Sequence, residues 1–178
     1  MSSRLTSVVA AAALGLAVVT PAQAQLAVTP SPATSPVLGT VIRGTSATTF
    51  TISPSGSVTR VSGDAIRLTS TGVTAPTITI SCGLLNLSSL CALRQIRVTV
   101  QPLPNANASI TMFRVNSLSG NLLWAGTAPA PAQSLTFDLK PLGLLGTGSF
   151  VLGMDVLVAA GIASGPHTFD YTVTATFI

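Results

Sequence analysis

Few side chains in this sequence could carry out acid–base or nucleophilic chemistry. The 178 residues contain one histidine, four aspartates and no glutamate. The histidine, His167, is three positions from Asp170, and on an extended strand residues at that spacing point to opposite faces. No Gly-x-Ser-x-Gly elbow or phosphate-binding loop is present. The sequence therefore predicts a protein that is not an enzyme and has no cofactor or metal, and it leaves open a Ser-His-Asp arrangement assembled from distant positions.

The two cysteines, Cys82 and Cys91, have the composition and spacing of a short disulfide loop. An even number of cysteines in an exported chain indicates a disulfide. A zinc site would need more cysteine or histidine at ligand spacing, and His167 is far away in the sequence. We expect a bridge that closes about ten residues and stabilises the fold by about 2.5–3 kcal/mol. A free or intermolecular pair is the alternative.

The single tryptophan, Trp124, is the one candidate for contact with a ligand. It lies in Asn-Leu-Leu-Trp-Ala-Gly, next to a loop rich in proline and alanine. An exposed ring at this position would indicate a carbohydrate- or surface-binding module of the adhesin type. A buried ring would instead indicate a structural role, because large aromatic side chains stabilise cores.

Residues 1–24 have the pattern of a signal peptide. Arg4 precedes an apolar run from Leu5 to Val19, and Ala22-Gln23-Ala24 provides a site for cleavage after Ala24. The run is shorter than the roughly 20 apolar residues that span a bilayer. We expect a secreted protein in the periplasm, on the cell surface or outside a Gram-negative bacterium. The exported chain should not span a membrane.

The charges of the exported chain are few and scattered. Charged residues make up 7% of the sequence, and the formal net charge is +4. A nucleic-acid-binding protein would concentrate its cations on one face, so we expect no nucleic-acid partner. The polar surface consists mainly of threonine and serine, and such neutral surfaces do not repel one another in assemblies. Self-association or a surface assembly is compatible with this composition, and the sequence names no partner.

The C-terminal stretch is the strongest strand signal in the chain. One parity is apolar, and the other contains Asp170, Thr172, Thr174 and Thr176. Five matches to a period of two, without an internal glycine or proline, predict a strand with one buried face. The apolar parity consists of Phe169, Tyr171, Val173, Ala175 and Phe177.

About ten short strands with regular turns predict an all-β fold, a two-sheet antiparallel β-sandwich of immunoglobulin-like or pilin-like form. We expect a domain over residues 37–178, preceded by a proline- and threonine-rich leader over 25–36 that is mobile or held at a sheet edge. We expect hairpins between 57–61 and 65–69 and between 149–158 and the last strand. A closed outer-membrane barrel is the competing architecture, but eight aromatic residues are too few for its two girdles. The remaining expected strands cover 37–43, 47–52, 76–81, 94–100, 109–115, 121–125 and 134–139.

Three segments together resemble an exported bacterial β-sandwich family, the domain of unknown function 4402. They are Val-Leu-Gly-Thr-Val-Ile-Arg-Gly-Thr with the following Thr-Phe-Thr-Ile-Ser-Pro-Ser-Gly, the later Val-Leu-Gly-Met-Asp-Val-Leu-Val-Ala-Ala-Gly, and the closing Ser-Gly-Pro-His-Thr-Phe-Asp-Tyr-Thr-Val-Thr-Ala-Thr-Phe. The resemblance covers most of the exported chain. It implies an exported β-sandwich and carries no activity or ligand.

The end of the chain is also similar to chaperone–usher pilins. Those subunits have a glycine fourteen positions from the end and a penultimate aromatic residue, and Gly165 and Phe177 occupy these places. The similarity implies an assembly role for the C-terminal strand. The leader departs from a donor strand because Pro30 and Pro32 lack amide hydrogens. Our hypothesis is a secreted non-catalytic structural or surface protein of pilin-like or fimbrial type, and the carbohydrate- or surface-binding module is the alternative.

Overall fold

The computed structural model describes residues 26–68, 73, 75–83 and 90–178, and the expected signal peptide lies outside these ranges. The described chain is nearly all β and contains one helical turn, α1 (Leu90–Leu93). The strands are β1 (Leu26–Ser31), β2 (Val37–Ile42), β3 (Thr48–Ile52), β4 (Val58–Ser62), β5 (Ile66–Arg67), β6 (Thr77–Cys82), β7 (Ile96–Pro102), β8 (Ala108–Gly120), β9 (Leu135–Leu139), β10 (Thr147–Val158), β11 (Gly165–Thr168) and β12 (Tyr171–Phe177).

The first layer is a six-stranded antiparallel sheet organised around β10. One edge of β10 pairs with β8 over its whole length. The other edge pairs first with β6 and then with β3, because β10 is long enough for two short strands in succession. The two short strands extend the sheet to β1 and β4 respectively.

The second layer consists of two three-stranded sheets that share the C-terminal segment. In one sheet the order is β11-β2-β5, and in the other it is β12-β7-β9. Only Phe169 and Asp170 separate β11 from β12, so one segment contributes to both sheets. Trp124 extends the second sheet through an antiparallel bridge to Leu139.

The core lies between these layers and is built from the apolar parity of each strand. Phe137 of β9 meets Phe150 of β10 edge to face, with ring centroids 5.6 Å apart. Phe113 of β8 meets Tyr171 of β12 at 6.2 Å. These contacts join the two layers, which confirms the expected sandwich-like all-β fold. In three of the expected strands the apolar residues alternate in sequence, as a strand with one buried face requires. All of them are buried: Ile96, Val98 and Val100; Leu135, Phe137 and Leu139; Phe150, Leu152, Met154, Val156 and Val158.

The sandwich has two chemically different ends. We call the end where β10 begins the leucine end, because its connections carry the exposed Leu93, Leu123, Leu144 and Leu145. The register brings the other strand termini there, since Thr147 pairs with Ser81 and Ile96 pairs with Leu139. We call the opposite end, with the connections 43–47 and 62–65, the polar end.

Cys82 and Cys91 form the expected disulfide at the leucine end, with their Cα atoms 6.3 Å apart. The bridge attaches α1 to the end of β6. A backbone hydrogen bond from Gly143 to the Cys91 carbonyl, 2.9 Å long, joins the same point to the connection between β9 and β10. The disulfide therefore links elements from both layers.

Both predicted hairpins are wrong. β4 pairs with β3, whereas β5 pairs with β2 in the other layer. Gly63, with a φ of 82°, allows the chain to cross between layers in the short connection where a hairpin turn was expected. The last strand does not pair with β10 either, because residues 159–164 carry the chain across to β2 and β7.

Three other expectations require correction or completion. The leader is held at a sheet edge, since β1 pairs with β6 from Leu26 to Ser31. The proposed connection at 117–120 is instead part of β8, a single strand of 13 residues. Residues 121–125 do not form a full strand and contribute only the bridge at Trp124.

Candidate functional site

The C-terminal segment changes partners in its middle. β11 begins at Gly165, whose φ of 152° suits glycine, and pairs with β2. Phe169 is fully buried at the change of partner. β12 then pairs with β7 in register, with Val173 opposite Val100. Tyr171, Val173, Ala175 and Phe177 are half-buried against the core, so the predicted parity is confirmed and its burial is only partial beyond Phe169.

One edge of β12 has no ladder partner in the described part of the chain. β7 occupies the other edge, whereas β1 lies near the open edge and pairs with β6 in the opposite layer. The chain then crosses between layers through residues 32–36, after a cis peptide between Ser31 and Pro32. A groove of about 150 Å³ remains between this crossing and the start of β12. Its walls are Val28, Pro30, Pro32, Ala33, Thr34, Ser35, Pro36, Asp170, Tyr171 and Val173.

The groove has an apolar wall and four polar side chains, those of Thr34, Ser35, Asp170 and Tyr171. The Ser35 hydroxyl donates a hydrogen bond to the Asp170 carboxylate, which fastens the crossing to the start of β12. Burial raises the pKa of the Tyr171 phenol to about 12, so the hydroxyl remains neutral at physiological pH. A neutral phenol and a carboxylate can bind an amide or hydroxyl group.

The size of the groove limits what it can hold. Ligand pockets for small molecules and cofactors occupy about 300–1,000 Å³. The 150 Å³ beside β12 is smaller and suits one side chain of an extended peptide. Strand addition uses this combination, in which the open edge offers backbone hydrogen bonds and a pocket accepts a side chain.

A larger open groove of about 520 Å³ lies on another part of the sandwich, beside β4 and β5. Arg60 donates to the Ala65 carbonyl at 3.1 Å, and Arg67 donates to the Leu38 carbonyl at 2.6 Å. Both guanidinium groups thus tie backbone segments together. The remaining lining is Phe50, Val58 and Ile66, so the groove has no set of convergent catalytic groups.

Trp124 is partly buried and packs in the core at the leucine end. Its ring meets that of Phe137 edge to face, with centroids 5.3 Å apart. Phe137 in turn contacts Phe150. A tryptophan in such a row of aromatic rings contributes packing. The ring is neither fully exposed nor fully buried, so exposure alone does not decide between a structural and a ligand-binding role.

The titratable residues do not converge on one point. Nε2 of His167 is buried and has no hydrogen-bond partner among the described residues. Asp64, Asp138, Asp155 and Asp170 lie in separate local contacts. No group of three or more histidine, cysteine or acidic side chains in the described ranges could hold a metal.

Two ion pairs connect neighbouring strands. Arg114 makes two hydrogen bonds to Asp155, at 2.6 and 2.7 Å, and Thr51 donates to the same carboxylate. Partial burial raises the pKa of Asp155. The hydrogen bonds from Arg114 and Thr51 outweigh this effect and hold the pKa below its usual value. Arg97 contacts Asp138 in the same two-pronged way, and its hydrogen bonds lower the pKa of that carboxyl group. These pairs are structural and lie on the sheet surface.

Asp64 organises the polar end. Its carboxylate accepts hydrogen bonds from the backbone N–H and hydroxyl groups of both Thr45 and Ser46, at 2.6 to 2.9 Å. These bonds hold the pKa of Asp64 well below its usual range. Asp64, in the connection between β4 and β5, therefore also holds the connection between β2 and β3 in place.

Sequence reasoning missed the apolar surface of the leucine end. The signal was present in Pro-Leu-Gly-Leu-Leu-Gly, where two adjacent leucines lie between glycines in a predicted turn. Turns favour glycine, asparagine, aspartate and serine, so leucines at the centre of a turn are unusual. The sequence alone does not show that Leu93 and Leu123 belong to the same surface as these two leucines, because their proximity depends on the fold.

The described residues include no helix of the length and apolar character needed to cross a membrane. Comparisons with models of protein families, with curated proteins and with solved structures found no match to this chain.

Proposed function

We propose that this chain is an exported, non-catalytic structural component of a bacterial cell surface that associates through the open edge of β12. The observation that carries the proposal is the edge of β12 that has no ladder partner among the described residues, beside the groove of Pro30, Pro32 and Tyr171. The resemblance to the domain of unknown function 4402 and to pilins agrees with this role. The titratable groups are dispersed in structural contacts, which supports a function without catalysis.

The chemistry of β12 suits association. An unpaired strand edge presents backbone N–H and C=O groups that another strand can bind. The outward side chains Thr172, Thr174 and Thr176 are exposed and neutral, so a second subunit meets no charge repulsion along this strand. The groove then provides a place for one side chain of the incoming strand.

A carbohydrate-binding function has less support. Its candidate residue, Trp124, is only partly exposed, and its ring packs edge to face against Phe137. Sugar binding generally uses exposed aromatic faces, and the described surface offers no other tryptophan.

Size-exclusion chromatography and electron microscopy of the exported protein test the proposal. We expect concentration-dependent oligomers or filaments. Ala33→Lys places a cation in the groove from an exposed position and should abolish association without unfolding the protein. The matched control is Thr59→Lys, which adds the same charge at an exposed position of β4, away from β12, and should leave association unchanged. A wild-type protein that remains monomeric at every concentration would refute the proposal, as would equal association of both variants.

A further inference from the structure

Four leucines form an exposed apolar surface at the leucine end. Their exposed fractions are 75% for Leu93, 59% for Leu123, 67% for Leu144 and 63% for Leu145. Backbone hydrogen bonds hold their segments together, since Gly143 donates to the Cys91 carbonyl and Lys140 donates to the Leu123 carbonyl. The disulfide adds a covalent brace to the same place. The leucines are thus presented by a connected and braced surface.

The turn that presents Leu144 and Leu145 is conformationally costly. Gly146 donates a backbone hydrogen bond to the Gly143 carbonyl at 3.2 Å, so the two leucines are the central residues of the turn. Leu145 has a φ of 55°, in the left-handed region where glycine and asparagine are preferred. Strained backbone is often retained at functional sites. Here the strain places a leucine in water, so packing within the monomer does not compensate for it.

The charged side chains that directly flank the leucines are both cations. Arg94 follows α1 and Lys140 follows β9, and both side chains are exposed. No acidic residue occurs in 90–96 or 139–149, and the nearby Asp138 is paired with Arg97. A two-fold dimer through this end would bring the cations of one copy near those of the other. An anionic surface with an apolar interior is the better complement.

We infer that the leucine end is a membrane-docking surface, in which the exposed leucines enter the interfacial region of a bilayer and Arg94 and Lys140 contact anionic lipid headgroups. The shape agrees with this partner, because the leucines project from connections at the tip of the sandwich. Peripheral membrane binding combines buried apolar area with attraction to anionic lipids. The inference concerns a different surface from the edge of β12 and goes beyond the proposed function.

The fluorescence of Trp124 can report whether the leucine end itself contacts lipid. This residue is the single tryptophan of the chain and adjoins Leu123. The full chain is mixed with vesicles of brominated phosphatidylcholine, with or without phosphatidylglycerol, and tryptophan fluorescence and co-sedimentation are measured. We expect quenching and binding that require the anionic lipid and weaken with salt. Fluorescence quenching reports the position of this end even if residues 1–24 remain attached and bind lipid themselves.

Variants separate the contribution of the leucines to vesicle binding from that of the two cations. Leu144→Ser with Leu145→Gly should lower the vesicle partition coefficient at least about tenfold because two exposed leucines lose their apolar contact. Arg94→Gln and Lys140→Gln should each lower binding to anionic vesicles about fivefold. Val61→Ser is the matched control, because Val61 is 66% exposed but lies near the polar end. Its binding should not change.

Circular dichroism confirms that each variant is folded. Loss of quenching in the leucine and cation variants, with normal quenching in Val61→Ser, supports the inference. Absence of quenching in the wild-type protein overturns it. Wild-type self-association that the leucine variants abolish, without vesicle binding, also overturns it and assigns the surface to a second copy of the chain.

Discussion

The connections between strands differ at the two ends of the sandwich. At the polar end, Asp64 and Thr48 satisfy the backbone groups of two connections through hydrogen bonds within the chain. At the leucine end, the chain exposes four leucines and holds one of them in a left-handed conformation. The connections of the polar end are held by hydrogen bonds within the monomer, although Ile42, Val61 and Ile66 beside them are exposed. At the leucine end, the exposed leucines lie on the connections themselves, and one of them has a strained backbone.

This difference identifies a candidate binding surface, which the amino-acid composition of the two ends does not. Both ends have glycines at turns and few charged side chains. Only one combines apolar exposure, backbone strain and charges of a single sign. Exposed leucines together with a strained backbone indicate a partner more strongly than an exposed apolar residue alone. Single exposed apolar residues are common on protein surfaces.

Removal of the disulfide should lower the unfolding free energy more than any other change proposed below. A Cys82→Ser, Cys91→Ser double variant should lose about 2.5–3 kcal/mol of unfolding free energy, since the bridge closes a short loop. Urea denaturation measures the loss. Hydrogen exchange should accelerate at 139–147 and remain slow at 62–65. Equal acceleration at both ends would mean that the bridge does not brace the leucine end specifically.

Thr48→Val should produce the largest effect at the polar end. The fully buried Thr48 hydroxyl accepts hydrogen bonds from the backbone N–H groups of Asp64 and Ala65, at 3.1 and 3.0 Å. Valine preserves the shape but leaves these donors without the acceptor, at a cost of about 2 kcal/mol. Thr49→Val, on the other face of β3, should cost less than about 0.5 kcal/mol. Similar denaturation midpoints for the two variants would contradict the role of the Thr48 hydroxyl.

Leu145→Gly should stabilise the monomer, in contrast to the two preceding changes. Glycine accepts the φ of 55° without a steric penalty, so the unfolding free energy should rise by about 1 kcal/mol or less. Leu144→Gly is the control in the same turn and should not stabilise the protein, because Leu144 is not among the residues with positive φ. Thermal denaturation distinguishes them. A lower melting temperature for Leu145→Gly would show that its side chain stabilises the monomer.

Asp64→Asn should give the smallest shift, because the carboxylate is exposed to solvent. Hydrogen bonds lower the pKa of Asp64 from its usual 3.8, so its stabilising contribution is complete above that pH in the charged form. The contribution is lost as the pH falls through the lower folded-state pKa. The melting temperature of the variant should therefore be below that of the wild type at pH 7, and the two should converge below pH 3.8. A difference that is constant with pH would contradict this assignment.

The sequence predicted the faces of the strands more reliably than their partners. Alternation depends on neighbouring residues, so the inward parity of 96–100, 135–139 and 150–158 is confirmed. Strand pairing depends on distant segments. A crossing at Gly63 and a hairpin turn use the same residue types, which is why the pairing of β4 and β5 was predicted incorrectly.

The candidate surfaces were predictable to different degrees. The two-sided pattern of the last strand identified Tyr171 and Val173, but the groove beside them depends on the crossing at 32–36. The disulfide followed from the number of cysteines. The leucine end requires the register of β6, β7, β9 and β10, because its leucines lie on three segments that are distant in the sequence.

Hydrogen–deuterium exchange of the full chain, with and without vesicles containing phosphatidylglycerol, tests the central contrast most directly. We expect slower exchange on vesicles at 121–126 and 139–147, with no change at 43–47 and 62–65. Protection of the polar end, or unchanged exchange at both ends despite membrane binding, would contradict this expectation.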